Sequence, residues 1–131
     1  METQAVDAVL VVDDETSIRA LVAEFLELAG FVVDTARHGA EALAKVRASG
    51  FAAIVLDLMM PVMSGWDFLD ACGDELIAAR IPVVVVSAAH APSDVARRAP
   101  VRAVLTKPFD LDVLETIVRQ VTAPRGPLRA V

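Results

Sequence analysis

Three runs of apolar, mostly β-branched residues punctuate the chain: AVLVV at 8–12, AAIVL at 52–56 and IPVVVV at 81–86. None alternates apolar with polar positions, so each reads as a strand buried on both faces, the kind found in parallel sheets covered by helices on both sides. Between them the period lengthens. Ile18, Leu21, Val22, Phe25 and Leu26 recur at three- and four-residue spacing ahead of Gly30, which predicts an amphipathic helix over Thr16–Ala29 stopped by the glycine. A second strand is predicted near Phe31–Thr35, a helix near Ala40–Ala48 that turns Leu43 and Val46 inward, and a third helix over Trp66–Leu76 after a loop holding Pro61 and Gly65. A short helix near Ser93–Arg98, a strand near Ala103–Leu105 and a helix carrying Leu111, Leu114, Ile117, Val118 and Val121 complete the pattern.

Strand and helix thus alternate five times. Right-handed crossovers make such a series an α/β doubly wound, five-stranded parallel sheet, and at this length the flavodoxin-like order 2-1-3-4-5 is expected. The segment APSDVARRAPVRA sets Pro92 and Pro100 around about two helical turns, so the fourth helix is expected to be short or mobile. The last residues, TAPRGPLRAV, are punctuated by Pro and Gly without periodicity. One domain over 1–121 followed by a flexible tail or linker start over 122–131 is the expected organisation.

Composition narrows the function. A chain of 131 residues suits one domain with a real core, and 56% hydrophobic content excludes a disordered chain. A net charge of −6 argues against nucleic-acid binding by this domain. Cys72 is the only cysteine, so no internal disulfide can form and no Cys/His spacing suggests zinc. The apolar runs are too short to span a bilayer and no targeting segment is visible, so a cytoplasmic protein without membrane attachment is expected.

The polar residues that interrupt the pattern fall at strand ends. Asp13 and Asp14 follow Val12, Asp57 follows Leu56, Ser87 follows Val86 and Lys107 follows Thr106. Each has an ordinary explanation when taken singly. Asp13 or Asp14 could cap the first helix, Ser87 could bond local backbone, and Lys107 could be a solvated charge. In the 2-1-3-4-5 order, however, these strand ends are neighbours, and the side chains converge on one edge of the sheet. Three carboxylates gathered there repel by several kcal/mol, about 4 per close pair at an effective dielectric near 20. Oxygen ligands without nearby Cys or His select a hard divalent cation, and Mg²⁺ typically combines one or two carboxylates with a phosphate oxygen. The pocket therefore suits Mg²⁺ and a phosphoryl group.

VVDDE at 11–15, LDLMMPVMSG at 56–65, VVSAA at 85–89 and LTKPF at 105–109, in this order and spacing, resemble the receiver domain of bacterial two-component response regulators over about residues 7–121. The resemblance implies that Asp57 accepts the phosphoryl group and that Asp13 and Asp14 hold Mg²⁺ together with Asp57 and the backbone carbonyl of Met59. It further implies that Ser87 is the switch hydroxyl, that Lys107 pairs with the phosphoryl oxygens, and that Pro108 is a cis proline. The implied partners are a sensor histidine kinase or histidine phosphotransfer protein and a downstream protein reached through the face of the fourth and fifth strands. A homodimer through the fourth helix, fifth strand and fifth helix is a further option. Two rival readings are a receiver-like scaffold that works without phosphorylation and an aspartate-nucleophile phosphatase. The phosphatase would want a second acid two residues after its nucleophile, whereas VVDDETS has adjacent acids.

The chain departs from the family pattern in places. Val104 stands where members usually carry an aromatic, two residues before the TKP step, and Met59 and Ala89 stand where relatives place polar groups near attacking water. His38 and His90 read as loop or surface histidines, Met59, Met60 and Met63 as adaptable packing around the loop, and Cys72 as a small buried hydrophobe.

Overall fold

The computed structural model describes residues 8–88 and 93–123. The elements, in chain order, are β1 (Ala8–Val12), α1 (Thr16–Leu28), β2 (Val32–Ala36), α2 (Gly39–Ala48), β3 (Ala53–Asp57), α3 (Gly65–Ala79), β4 (Val83–Ser87), α4 (Ser93–Ala96), β5 (Val101–Thr106) and α5 (Leu111–Thr122). All neighbouring strands pair in parallel in the order β2-β1-β3-β4-β5, which is the expected doubly wound arrangement.

The unbroken apolar strands divide their side chains between two cores. Val9 and Val11 of β1, Val55 of β3, and Val84 and Val86 of β4 pack with Val22, Leu26, Leu114 and Val118 of α1 and α5. The intervening residues Leu10, Val12, Ile54, Leu56, Val83 and Val85 pack with Ala42, Phe68, Leu76 and Val95 on the opposite face. Strands β1, β3 and β4 are buried along nearly their whole length, whereas the edge strand β2 alternates, with Val32 exposed and Ala36 buried. Period-two side chains in a sheet sandwiched by helices require this division.

Several boundaries move from their expected positions, each for a local reason. α3 begins at Gly65 because Ser64 caps it: the Ser64 hydroxyl accepts from the Asp67 N–H and the Asp67 carboxylate accepts from the Ser64 N–H. It continues to Ala79 and ends at Arg80, whose backbone is left-handed (φ 59°) where a glycine is usual. β5 starts at Val101, two residues early, because Val101 pairs with Val83 before a register shift. β3 and β4 each start later than expected and end one residue further on, so Asp57 and Ser87 are the last members of their strands. The fourth helix is short, a single turn over Ser93–Ala96. His38 caps α2, its Nδ1 accepting from the Glu41 N–H at 3.2 Å. Cys72 is buried as expected, its thiol pushed up to about 11 by burial and then by Glu75. Met60 and Met63 pack on the core, but Met59 stands 60% exposed. Ala89, His90, Pro92 and the tail over 124–131 lie outside the described residues.

Candidate functional site

The carboxyl edge of the sheet gathers the predicted polar residues. Asp13, Asp57 and Lys107 each come an even number of residues after a position in the α1/α5 layer: Val9 and Val11, Val55, and Ala103 and Leu105. They reach the edge from that side. Asp13 and Asp57 are both 3% exposed, and Asp14 is exposed. One carboxylate oxygen from each of the three lies within 4.8 Å of the others.

Backbone and side-chain bonds together hold Asp13 and Lys107, and contacts at its carboxylate orient Asp57. The Asp13 N–H donates to the Ala36 carbonyl at 3.1 Å, and its own carbonyl accepts from Arg19 Nη1 at 2.8 Å. Asp13 Oδ1 accepts from the Glu15 N–H at 2.9 Å while Oδ2 accepts from Lys107 Nζ at 2.9 Å. The capping explanation for Asp13 is thus half right. Glu15 is the N-cap residue of α1, with no side-chain cap of its own, and Asp13 satisfies the turn with one oxygen while the other faces the pocket. Asp57 Oδ1 accepts from the Met59 N–H at 3.3 Å, and Oδ2 lies 3.7 Å from Lys107 Nζ. Lys107 is tied in turn by its backbone N–H to the Ser87 carbonyl at 2.6 Å, next to the Ser87–Thr106 register pair, and the following Lys107–Pro108 bond is cis.

Gly65 has a use beyond that of a loop residue. Its N–H donates to the Leu58 carbonyl at 2.9 Å, and a Cβ there would come within 2.6 Å of the Asp57 carbonyl oxygen and 2.8 Å of Leu58 Cα. Only glycine lets α3 start this close to the backbone that carries Asp57. In the sequence the signal was present as a glycine seven residues after Leu58, but its purpose depends on a contact between loop and strand.

Burial and then the charge of Asp13 raise Asp57 from 3.8 to about 6, with Lys107 and the Met59 N–H opposing and Asp14 adding. Burial pulls Lys107 down, but its hydrogen bond to Asp13 and the charges of Asp13, Asp57 and Glu15 together hold it above its ordinary value. Among the described residues Lys107 is the one cation paired with this cluster of three carboxylates. At separations under 4.8 Å each ionised pair repels by about 3 to 4 kcal/mol at an effective dielectric near 20. The donor set is all oxygen and short of two positive charges, which fits a small divalent cation.

The architecture and this pocket define a signalling receiver of the doubly wound class. Residues 9–119 match the family model described as the response regulator receiver domain, and the chain belongs to that family. It is 36% identical over 119 residues to response regulator Rre1 of Synechocystis sp., covering 88% of this chain and 52% of that protein. It is 38% identical over 122 residues to transcriptional regulatory protein PrrA of Mycobacterium leprae, covering 90% and 51%. The chain spans about half the length of these curated relatives. Among solved structures it is similar to chemotaxis protein CheY4 of Vibrio cholerae, with TM-score 0.79 and 34% identity over 89% of this chain and 99% of that one. It is also similar to response regulator TrrA of Thermotoga maritima in complex with Mg(2+)-BeF, with TM-score 0.79 and 30% identity over 88% and 99%. The acidic pocket fits the phosphorylation site of such receiver domains. Among the described residues no helix is long and apolar enough to cross a membrane.

Proposed function

We propose that the domain takes a phosphoryl group from a phosphohistidine onto Asp57. The observation that carries this reading is the placement of Asp57, buried at the end of β3 with its carboxylate 3.7 Å from Lys107 Nζ and within 4.8 Å of Asp13 and Asp14. A carboxylate oxygen of Asp57 attacks phosphorus, a P–O bond forms as the P–N bond to the donor imidazole breaks, and the acyl phosphate remains on the chain. The Met59 N–H keeps the carboxylate oriented for this approach. Lys107, held 3.7 Å from Asp57 by its bond to Asp13, needs only a short shift onto a phosphoryl oxygen to stabilise the developing charge. Ser87, from the neighbouring strand end, closes on another of those oxygens.

Asp13, Asp14, Asp57 and the Met59 carbonyl would hold Mg²⁺, which when bound offsets the carboxylate repulsion and the charge of the transferred phosphoryl group. Asp57 must be ionised to attack, so relief of its raised pKa is part of that contribution. Pro108, in the cis form, sets the turn that presents Lys107. Slow loss of the phosphoryl group is the domain's own activity, limited by water access, since the exposed Met59 offers attacking water no polar side chain.

The donor is a sensor histidine kinase or a histidine phosphotransfer protein of the cytoplasm. A hollow of about 460 Å³ beside the pocket, walled by Ile18, Leu21, Pro108 and Phe109 and reaching Lys107, supports the seating of an apolar helix that presents the phosphohistidine. Signal leaves through the β4–β5 face to a downstream protein or to a second copy across α4, β5 and α5. Val104, half-buried against the core beside Val85, transmits it without the rotation of an aromatic ring.

With acetyl phosphate and Mg²⁺, the wild-type chain gains one phosphoryl group by intact mass and Asp57→Asn gains none. Undiminished incorporation in Asp57→Asn overturns the assignment. Failure of the folded wild type to incorporate any favours the phosphorylation-independent scaffold.

A further inference from the structure

The amino edge of the sheet, opposite the acidic pocket, holds positive charge over an apolar trough. Arg80 follows α3 and Arg102 is the second residue of β5, and both are exposed. Neither forms an ion pair among the described residues, although the protein carries a net charge of −6. Arg98, nearby in the chain, shows the ordinary surface alternative, pairing with Asp70 at 2.6 Å. Arg80 also occupies a left-handed backbone position, φ 59°, that disfavours any residue with a Cβ. A glycine would hold that turn more cheaply, so what the position retains is the side chain. The bland contribution of Arg80, a cation at the C-terminal end of a helix, does not extend to Arg102.

Arg80 and Arg102 each line the same two hollows. One, of about 230 Å³, has its apolar floor on Leu76, Ile77 and Ile81; the other, of about 300 Å³, is walled by Ala52 and Val121. Both are lined by Arg80, Pro82 and Arg102, so they adjoin as one trough with the two arginines at the join. Ala99 and Pro100, which lead from α4 into β5, wall the first hollow beside the end of α3.

We propose that this trough binds an acidic segment of a partner protein in which a carboxylate is flanked on both sides by large apolar residues. The guanidinium fork matches a carboxylate in two parallel hydrogen bonds, and each hollow takes one leucine-sized side chain as an anchor. Two shallow recesses divided by charge suit an extended peptide better than a compact nucleotide. The surface lies at the opposite end of the strands from Asp57, so binding is independent of the phosphoacceptor reading.

The test is a nuclear magnetic resonance titration of the full 131-residue chain with the peptide acetyl-Leu-Ala-Glu-Ala-Leu-amide, whose two leucines and carboxylate share one face when extended, and its glutamine counterpart. Amide shifts are expected to concentrate at residues 76–82, 99–103 and 121–123. Affinity is expected to fall about tenfold or more for the glutamine peptide, and equally for Arg80→Gln combined with Arg102→Gln, with the remaining spectrum unchanged. If that double variant does not fold, Arg102→Gln alone supplies the comparison, with a smaller loss. Asp57→Asn binds as wild type does. Equal affinity for the two peptides, full affinity in the folded arginine variants, or an equal response to inorganic phosphate at the same concentration, meaning an adventitious anion only, overturns the proposal.

Discussion

The two ends of the sheet are built on the same strands and carry opposite charge surpluses. At the carboxyl edge, Asp13 and Asp57 are buried and share Lys107 with the exposed Asp14 alongside. At the amino edge, Arg80 and Arg102 are exposed and have no carboxylate among the described residues. The difference lies in depth. Burial, and after it the charge of Asp13, moves the pKa of Asp57 to about 6, while exposed arginines are screened by water and keep their charge at little cost. The acidic end is consequently a place where charge changes the stability of the fold, and the basic end is one where it changes only what binds.

The largest expected effect comes from removing the one cation of the acidic end. Lys107→Met leaves Asp13 and Asp57 buried without it, and is expected to cost about 2 to 4 kcal/mol in urea unfolding of the metal-free protein at pH 7.5. A loss below about 0.5 kcal/mol would place that end in the same screened regime as the other. Gly65→Ala follows, because its Cβ meets the Asp57 carbonyl oxygen at 2.6 Å. The backbone must shift, with an expected cost of about 1 to 3 kcal/mol and weaker binding of Mg²⁺ read through Trp66, the single tryptophan.

Asp57→Asn has the opposite sign. A carboxyl group whose pKa rises from 3.8 to about 6 on folding binds its proton more tightly in the folded state. Its contribution to stability is therefore greatest below pH 3.8 and declines as pH rises, until the full penalty stands above pH 6. A shift of that size is up to about 3 kcal/mol before solvent screening, and about 1 to 2 kcal/mol after it. Metal-free Asp57→Asn is therefore expected to exceed wild type by that amount at pH 7.5 and to lose the advantage near pH 4, as followed by thermal melting across pH. A pH-independent difference would remove the electrostatic explanation.

The smallest effects concern one left-handed residue near each end. Val62, at φ 70° and 81% exposed, and Arg80, at φ 59°, are each expected to gain about 1 kcal/mol on replacement by glycine. For Arg80→Gly the gain is accompanied by weaker binding of the acidic peptide.

Much of this arrangement was legible in the chain. Continuous apolar runs identified β1, β3 and β4 because strands buried on both faces leave no other pattern, and the polar residue after each run marked the edge where the pocket forms. The short α4 was legible from Pro92 and Pro100. Other features were not. The early start of β5 rests on pairing with β4 across a register shift, which no local periodicity records. The cap role of His38 depends on one backbone N–H three residues on. The exposure of Met59 depends on how the loop turns after Asp57, since an apolar residue beside a core strand reads as packing until its direction is known.

By itself the sequence determined the number and order of the elements, the two-layer burial of the strands and the identity of the residues that meet at the carboxyl edge, because periodicity and strand-end position are one-dimensional properties. Tertiary structure alone decided how those residues divide their atoms: one oxygen of Asp13 on the Glu15 N–H and the other on Lys107, Gly65 pressed against the Asp57 backbone, and Arg80 brought beside Arg102 from another element. Distances of 3 to 5 Å between residues tens of positions apart set pKa and charge pairing, and those distances exist only once the strands have paired.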